Sequence, residues 1–227
     1  MIRRHDPGAY YASPFVRWLE GFRIRAILRE LKATRKGRFL EIGCGFGFVL
    51  EKIDIRSGFA RCAGLDLSRP SLKAARGRLG STLPLIEGDA MALPFRNGTF
   101  DAVLLTEVIE HVPDPVAVLK EAARVIAPGG VLLVTAPNEA MINRLKIVLR
   151  KTGLWRLFFS RYDAADHMED EWHLHLVTPN LLSRWIREAG ISQPRQRMVP
   201  FPFLPLRNIA TAKIGSATES GTNANSD

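Results

Sequence analysis

The segment Arg38-Phe39-Leu40-Glu41-Ile42-Gly43-Cys44-Gly45-Phe46-Gly47 constrains the fold of this chain more than any other. A short apolar run enters a turn in which every second residue is glycine, and a carboxylate stands two residues before the first glycine. Gly43, Gly45 and Gly47 admit positive φ and let a ligand lie against bare backbone. Such a strand-to-helix turn belongs to a mononucleotide-binding βα unit. The dinucleotide fingerprint G-x-G-x-x-G is not met, because Phe48 takes the last glycine position. Glu41 would repel a diphosphate and suits a cofactor that is positive near the turn. S-adenosylmethionine, with a sulfonium and an ammonium group, has that character.

The pattern that follows is an alternation of apolar strands and helices. Strands are predicted at Phe39–Ile42, Ala60–Leu65, Leu83–Glu87, Phe100–Leu105 and Val131–Ala136. Ser68 with Pro70, and Asp114 with Pro115, mark helix starts; the second helix is expected to run to about Ala127, where Pro128-Gly129-Gly130 stops it. Apolar strands in a β-α-β-α-β order give a doubly wound, mostly parallel Rossmann-like sheet with helices on both faces. Ligands of such sheets bind beyond the carboxyl ends of the strands. Ahead of the sheet, Val16, Leu19, Phe22, Ile27 and Leu31 recur at near-helical spacing and predict a helix over about 16–33.

Several side chains then gather at the strand ends. Asp66 ends the second strand about twenty residues past the glycines, placed to accept both ribose hydroxyls, with Leu67 beside it. Asp89 follows the third strand and can take an adenine amine, with Ala90 and Met91 against the ring. Thr106 and Glu107 end the fourth strand, at the amino-acid end of the cofactor.

In this order and spacing, residues 38–138 resemble the class I S-adenosylmethionine-dependent methyltransferases. Phe39 to Gly47 is similar to that family's first motif and Gly64-Leu65-Asp66 to its ribose motif. Gly88-Asp89-Ala90, Leu93-Pro94-Phe95, Phe100-Asp101-Ala102-Val103, Glu107 to Val112 and Pro128-Gly129-Gly130 complete the pattern. Ubiquinone-pathway O-methyltransferases are among the similar subfamilies. The resemblance implies S-adenosylmethionine as cofactor, bound by Glu41, Gly43, Gly45, Gly47, Asp66, Leu67, Asp89, Ala90, Met91, Thr106 and Glu107. It also implies methyl transfer to a small or lipid-like acceptor, at a hydroxyl. A cofactor-binding module without catalysis is one alternative; a nicotinamide-dependent oxidoreductase is another, which Phe48 and Glu41 oppose.

The proton of a hydroxyl acceptor needs a base, and imidazole titrates near neutrality. His111, His173 and His175 are the candidates, the last two in Glu171-Trp172-His173-Leu174-His175. His111 also has a structural reading, as an anchor for its loop, and His167 reads as solvated. A His-x-His pair alone is no metal site, and Cys44 and Cys62 have no ligand spacing, so no metal is expected. Asp101 reads as a strand-orienting residue.

The family's sheet ends with two antiparallel strands. A sixth is plausible near Arg195–Val199, but the seventh is poorly supported by Ile209 to Ile214, so the sheet edge is expected to stay incomplete or to be closed by a partner. Residues 1–214 then form one domain, and the polar tail 215–227 is expected to be disordered.

Residues 138–177 interrupt the rhythm as a lid insert. Its first part, residues 138–162, holds six Lys and Arg against Glu139 alone, with Trp155, Phe158 and Phe159 among them. It reads either as a packed lid with a solvated basic face or as an interfacial helix that admits a lipid-like acceptor at a membrane surface. The net charge of +9 also concentrates in residues 1–40, yet no nucleic-acid-binding motif accompanies it, which disfavours nucleic acid. No apolar run reaches a membrane span and the start lacks a signal-peptide core. A cytoplasmic protein, peripheral to the membrane if the lid is interfacial, is the expectation; the oligomeric state is left open.

Overall fold

The computed structural model describes residues 14–34, 37–154, 173–192, 194–201 and 204–215. The elements run α1 (Pro14–Glu30), β1 (Arg38–Ile42), α2 (Phe48–Ser57), β2 (Arg61–Asp66), α3 (Arg69–Leu79), β3 (Leu85–Glu87), β4 (Phe100–Thr106), α4 (Pro115–Val125), β5 (Ile126–Pro137), α5 (Glu139–Lys151), α6 (Pro179–Glu188), β6 (Arg195–Phe201) and β7 (Leu204–Lys213). A short 3-10 turn, Leu31–Thr34, extends α1. The strands form one open sheet in the order β3-β2-β1-β4-β5-β7-β6. The first five pair in parallel, and β7 runs antiparallel to both β5 and β6.

Strand alternation sorts β1 onto two cores. Leu40 and Ile42 join Val118, Leu119, Leu182 and Trp185 under α4 and α6. Phe39 joins Ile27 and Leu31 of the first helix and Leu50 and Ile53 of α2 on the opposite face. Each such aliphatic side chain, removed from water, contributes about 1.5–3 kcal/mol. The same period of two sends Glu41 to the α1–α2 face, where it is 1% exposed.

The helix starts form where the capping residues stand. Ser68, Asp114, Asn138 and Thr178 each accept a hydrogen bond from a backbone N–H in the first turn of α3, α4, α5 and α6. By contrast, α2 opens on Gly47, which has no side chain to cap it.

Three expectations are corrected. The seventh strand is present and long: β7 pairs with β5 from Val131↔Lys213 to Pro137↔Arg207, so the sheet edge is complete. It lies between two strands and is buried on both faces, so it shows no polar–apolar alternation and tolerates Asn208 in its middle. Pro128-Gly129-Gly130 does not separate helix from strand. α4 ends at Val125, and the triplet lies inside β5, at an irregularity in its pairing with β4. A Cβ on Gly130 would come within 2.5 Å of Ile126 Cγ2 and 2.8 Å of the Asp101 carbonyl oxygen, so only glycine fits this bulge. Finally, the buried stripe of α1 and its 3-10 extension is Glu20, Arg23, Ile27 and Leu31: of the expected apolar series Ile27 and Leu31 are on it, while Leu19 and Phe22 are only partly buried. Phe22 instead packs edge-on against Trp18 and Phe201.

Candidate active site

The glycine turn after β1 is tied to the end of β2. The N–H groups of Gly43 and Cys44 both donate to the Leu65 carbonyl, at 2.7 and 3.0 Å. All three glycines have positive φ, and a Cβ on Gly43 would lie 2.1 Å from Val108 Cγ2. At Gly45 a Cβ would meet nothing within 4 Å, so the turn presents open backbone there. Asp66 clamps the arrangement: its Oδ2 accepts from Gly45 N at 2.7 Å and its Oδ1 from Ser68 N at 2.8 Å. Leu67, 73% exposed, stands beside it. Asp89 Oδ1 accepts from Met91 N at 2.8 Å, which shapes the loop after β3, and Ala90 and Met91 rest partly buried against the core. Asp101, as expected, orients a strand: its Oδ2 accepts from Arg38 N.

Beneath the turn, burial pushes the Glu41 carboxyl up to about 7, opposed by the Thr106 hydroxyl and the charge of Arg23. Its Oε2 is buried and has no hydrogen-bond partner among the described residues. A buried carboxylate with one oxygen lacking a donor is costly, and a cationic ligand would relieve it. The open backbone at Gly45, the orphaned Glu41 oxygen and the Asp66 carboxylate fit S-adenosylmethionine. Cys44 and Cys62 are buried free thiols whose pKa values burial raises, to about 12 for Cys62, so they pack and do not react.

Next to this cradle, beyond the ends of β4 and β5, lies a cavity of about 210 Å³. Five chain segments line it: Glu20 and Arg23 from α1; Glu107, Glu110 and His111 after β4; Pro137, Glu139 and Ile142 from the end of β5 and the start of α5; His173 ahead of α6; and Arg207 from β7. Glu107 was expected in the cofactor set, and the structure places it here. Thr135 Oγ1 donates to its Oε1 at 3.0 Å, and Arg207 and Arg23 pair with it at 2.9 and 3.4 Å. Burial works against its charge, but the two guanidiniums hold its carboxyl below the usual range. It is also the one non-glycine residue with positive φ among the described residues, at 52°. The strained backbone points to a position fixed for its site.

Glu110 behaves in the opposite way. It is 1% exposed, and neither carboxylate oxygen has a hydrogen-bond partner among the described residues. Burial, with Glu107 and then Glu139 adding like charge, pushes its carboxyl well above the usual range.

The three histidines separate. His111 and His173 come together with ring centroids 4.7 Å apart, and His173 Nδ1 lies 2.7 Å from Glu139 Oε1. His175 stands apart from the other two. Its Nε2 donates to the Val112 carbonyl at 3.0 Å, its ring packs edge-on against Trp185, and it does not line the cavity. The N–H groups of Leu174 and His175 both donate to the Glu110 carbonyl, which binds this segment to the loop after β4.

Sequence reasoning missed Glu20, Arg23, Glu139 and Arg207 as site residues. For Glu20 and Arg23 a signal existed, since both fall on the inward stripe of α1 with Ile27 and Leu31. Trp155, Phe158, Phe159, His167 and residues 216–227 lie outside the described residues.

Comparison with known proteins agrees with this geometry. Residues 40–134 match the methyltransferase-domain family. Ubiquinone biosynthesis O-methyltransferase of Chromobacterium violaceum is 35% identical over 162 residues, which cover 68% of this chain and 64% of that protein. Its counterpart in Xanthomonas campestris pv. campestris (strain B100) is 30% identical over 189 residues, 80% of this chain and 72% of that protein. An S-adenosylmethionine-dependent methyltransferase structure from Methanosarcina mazei superposes with a TM-score of 0.60 at 20% identity, covering 80% of this chain and 94% of that one, and supports the fold. With the glycine turn, Asp66 at the end of β2 and the seven-stranded sheet in place, the chain belongs to the class I S-adenosylmethionine-dependent methyltransferases.

Proposed function

We propose that the acceptor is a small or lipid-like molecule that presents a hydroxyl in the cavity between α1, α5 and the loop after β4. The pair Glu139–His173 carries this reading. His173 Nδ1 lies 2.7 Å from Glu139 Oε1 without hydrogen-bond geometry, so a carboxylate faces the positive charge the ring carries when it takes the acceptor's proton. Bound S-adenosylmethionine supplies an activated methyl group that needs no further activation by the protein. The chain's own residues then have two tasks: to align the acceptor and to receive its proton. Arg23 and Arg207 are tied up with Glu20 and Glu107. Four carboxyl groups against two guanidiniums leave little attraction for an anionic acceptor. The test is turnover against hydroxyl, amine and carbon acceptors. His173→Ala is expected to lower kcat on a hydroxyl acceptor about 10²–10⁴-fold with cofactor affinity kept. Turnover of amine or carbon acceptors alone would reject the hydroxyl.

The exposed face of α5 supports a lipid-like acceptor. Arg144, Ile147, Val148 and Lys151 follow i, i+3, i+4, i+7 and point outward, with Ile147 and Val148 52% and 55% exposed. Leu154, shortly past the end of α5, adds exposed apolar surface. Mixed basic and apolar exposure on a helix whose first turn lines the acceptor cavity suits contact with an anionic lipid surface. Among the described residues no helix is long and apolar enough to cross a membrane.

A further inference from the structure

We infer that the acceptor carries a basic amine close to its methylated hydroxyl, and that the Glu110 carboxylate binds the ammonium group. The inference rests on the hydroxyl reading of the cavity and deepens it by naming the acceptor's second group: a short amino alcohol or an aminoalkyl phenol.

Glu110 carries the argument. It lines the cavity, is 1% exposed, and neither of its carboxylate oxygens has a hydrogen-bond partner among the described residues. Its carbonyl accepts from Leu174 N and His175 N at 2.8 and 3.2 Å, which fixes the backbone that bears the side chain. A buried carboxyl group that faces a cavity without a donor costs free energy that a ligand's donor returns.

Charge selects the donor. Arg23 and Arg207 are the basic side chains of the lining, and both pair with Glu20 and Glu107. Glu110 stands beside Glu139 and the histidines, away from those pairs. Burial first, then like charge from Glu107 and Glu139, pushes its carboxyl well above the usual range. A neutral hydroxyl would meet one oxygen and leave that repulsion in place. An ammonium group brings both donors and the opposing charge.

Spacing limits the acceptor. A carboxylate oxygen of Glu110 and a ring nitrogen of His173 lie within 4.8 Å of each other. An ammonium on the first and a hydroxyl on the second, each about 2.8 Å from its partner, stand roughly two or three carbons apart in one molecule. No sequence pattern announced the pairing, because positions 110 and 173 lie far apart in the chain.

The experiment measures binding by calorimetry to the full chain saturated with S-adenosylhomocysteine. Two isosteric pairs are the probes: 2-(aminomethyl)phenol with 2-ethylphenol, and 2-amino-1-hexanol with 2-methyl-1-hexanol. Within each pair a methyl group replaces the amine. In at least one pair the amine is expected to bind about tenfold or more tightly, the worth of one charge-assisted hydrogen bond. Glu110→Gln is expected to abolish this preference, and His175→Gln to keep it. Absence of an amine preference in both pairs, binding or not, overturns the inference, as does a preference that survives Glu110→Gln. Circular dichroism and S-adenosylhomocysteine binding check that each variant is folded. If Glu110→Gln does not fold, Glu139→Gln decides: retained preference supports Glu110, and complete loss moves the amine to Glu139 and overturns the assignment. The position of the transferred methyl group separates the two readings. O-methylation of the neutral probes without an amine preference keeps the hydroxyl and removes the amine subsite. Methylation at nitrogen alone, with a preference that depends on Glu110, keeps the carboxylate–ammonium contact and removes the hydroxyl reading.

Discussion

Glu41→Gln should make the cofactor-free protein more stable at neutral pH while weakening its hold on the cofactor. Burial raises the Glu41 carboxyl from 4.5 to about 7. Between those values the unfolded chain has released a proton that the folded chain still binds. Stability therefore falls as pH rises through this window and levels off above it. At about 1.4 kcal/mol per pKa unit, the loss is on the order of 3 kcal/mol. Glutamine carries no such titration. Urea denaturation without cofactor at pH 5, 6.5 and 8 is expected to show wild type and variant close together at pH 5. At pH 8 the variant should lead by about 2–3 kcal/mol, less what its own amide loses by lacking partners. A cation beside Glu41 would restore its charge, so cofactor binding at pH 6.5 should release protons, measurable by calorimetry in buffers of different ionisation enthalpy. Parallel pH dependence in wild type and variant would refute the reasoning, as would binding without proton release.

Asp66→Ala should cost about 2–4 kcal/mol of stability, because Gly45 N and Ser68 N both lose a charged acceptor and water replaces it only in part; it should weaken S-adenosylhomocysteine binding as well. Thermal denaturation and calorimetry read the two effects, and a fully stable variant would show that the clamp is dispensable. His175→Gln is expected to lower stability by about 1–2 kcal/mol through the lost bond to Val112, with kcat retained; a collapse of kcat in a folded variant would return His175 to the chemistry. If α5 meets lipid, the protein should pellet with vesicles of anionic phospholipid at low salt and release at high salt, and Ile147→Asp with Val148→Asp should abolish pelleting without altering cofactor affinity. Wild type that never pellets would favour a water-soluble acceptor.

Much of the cofactor cradle was legible because its determinants are local. Gly43, Gly45 and Gly47 need positive φ within one turn, Asp66 ends a strand that its own apolar run defines, and Ser68-Arg69-Pro70 starts the next helix. Parallel strands buried on both faces are continuous apolar runs, which a sequence displays directly. The strand β7 was less legible, because pairing on both sides stabilises it where its composition does not. The acceptor cavity was the least legible. Glu20 and Arg23, Glu110 and His111, Glu139, His173 and Arg207 meet there from α1, the loop after β4, α5, the segment ahead of α6, and β7. Residue periodicity records which side of an element is buried; it does not record what stands opposite. The sequence by itself determined the parallel part of the sheet, the glycine turn and the cofactor that fits them. Only the tertiary structure decided that Glu107 belongs to an arginine network, that His175 anchors a loop, and that His173 faces Glu139, because those roles depend on contacts between segments distant in the chain.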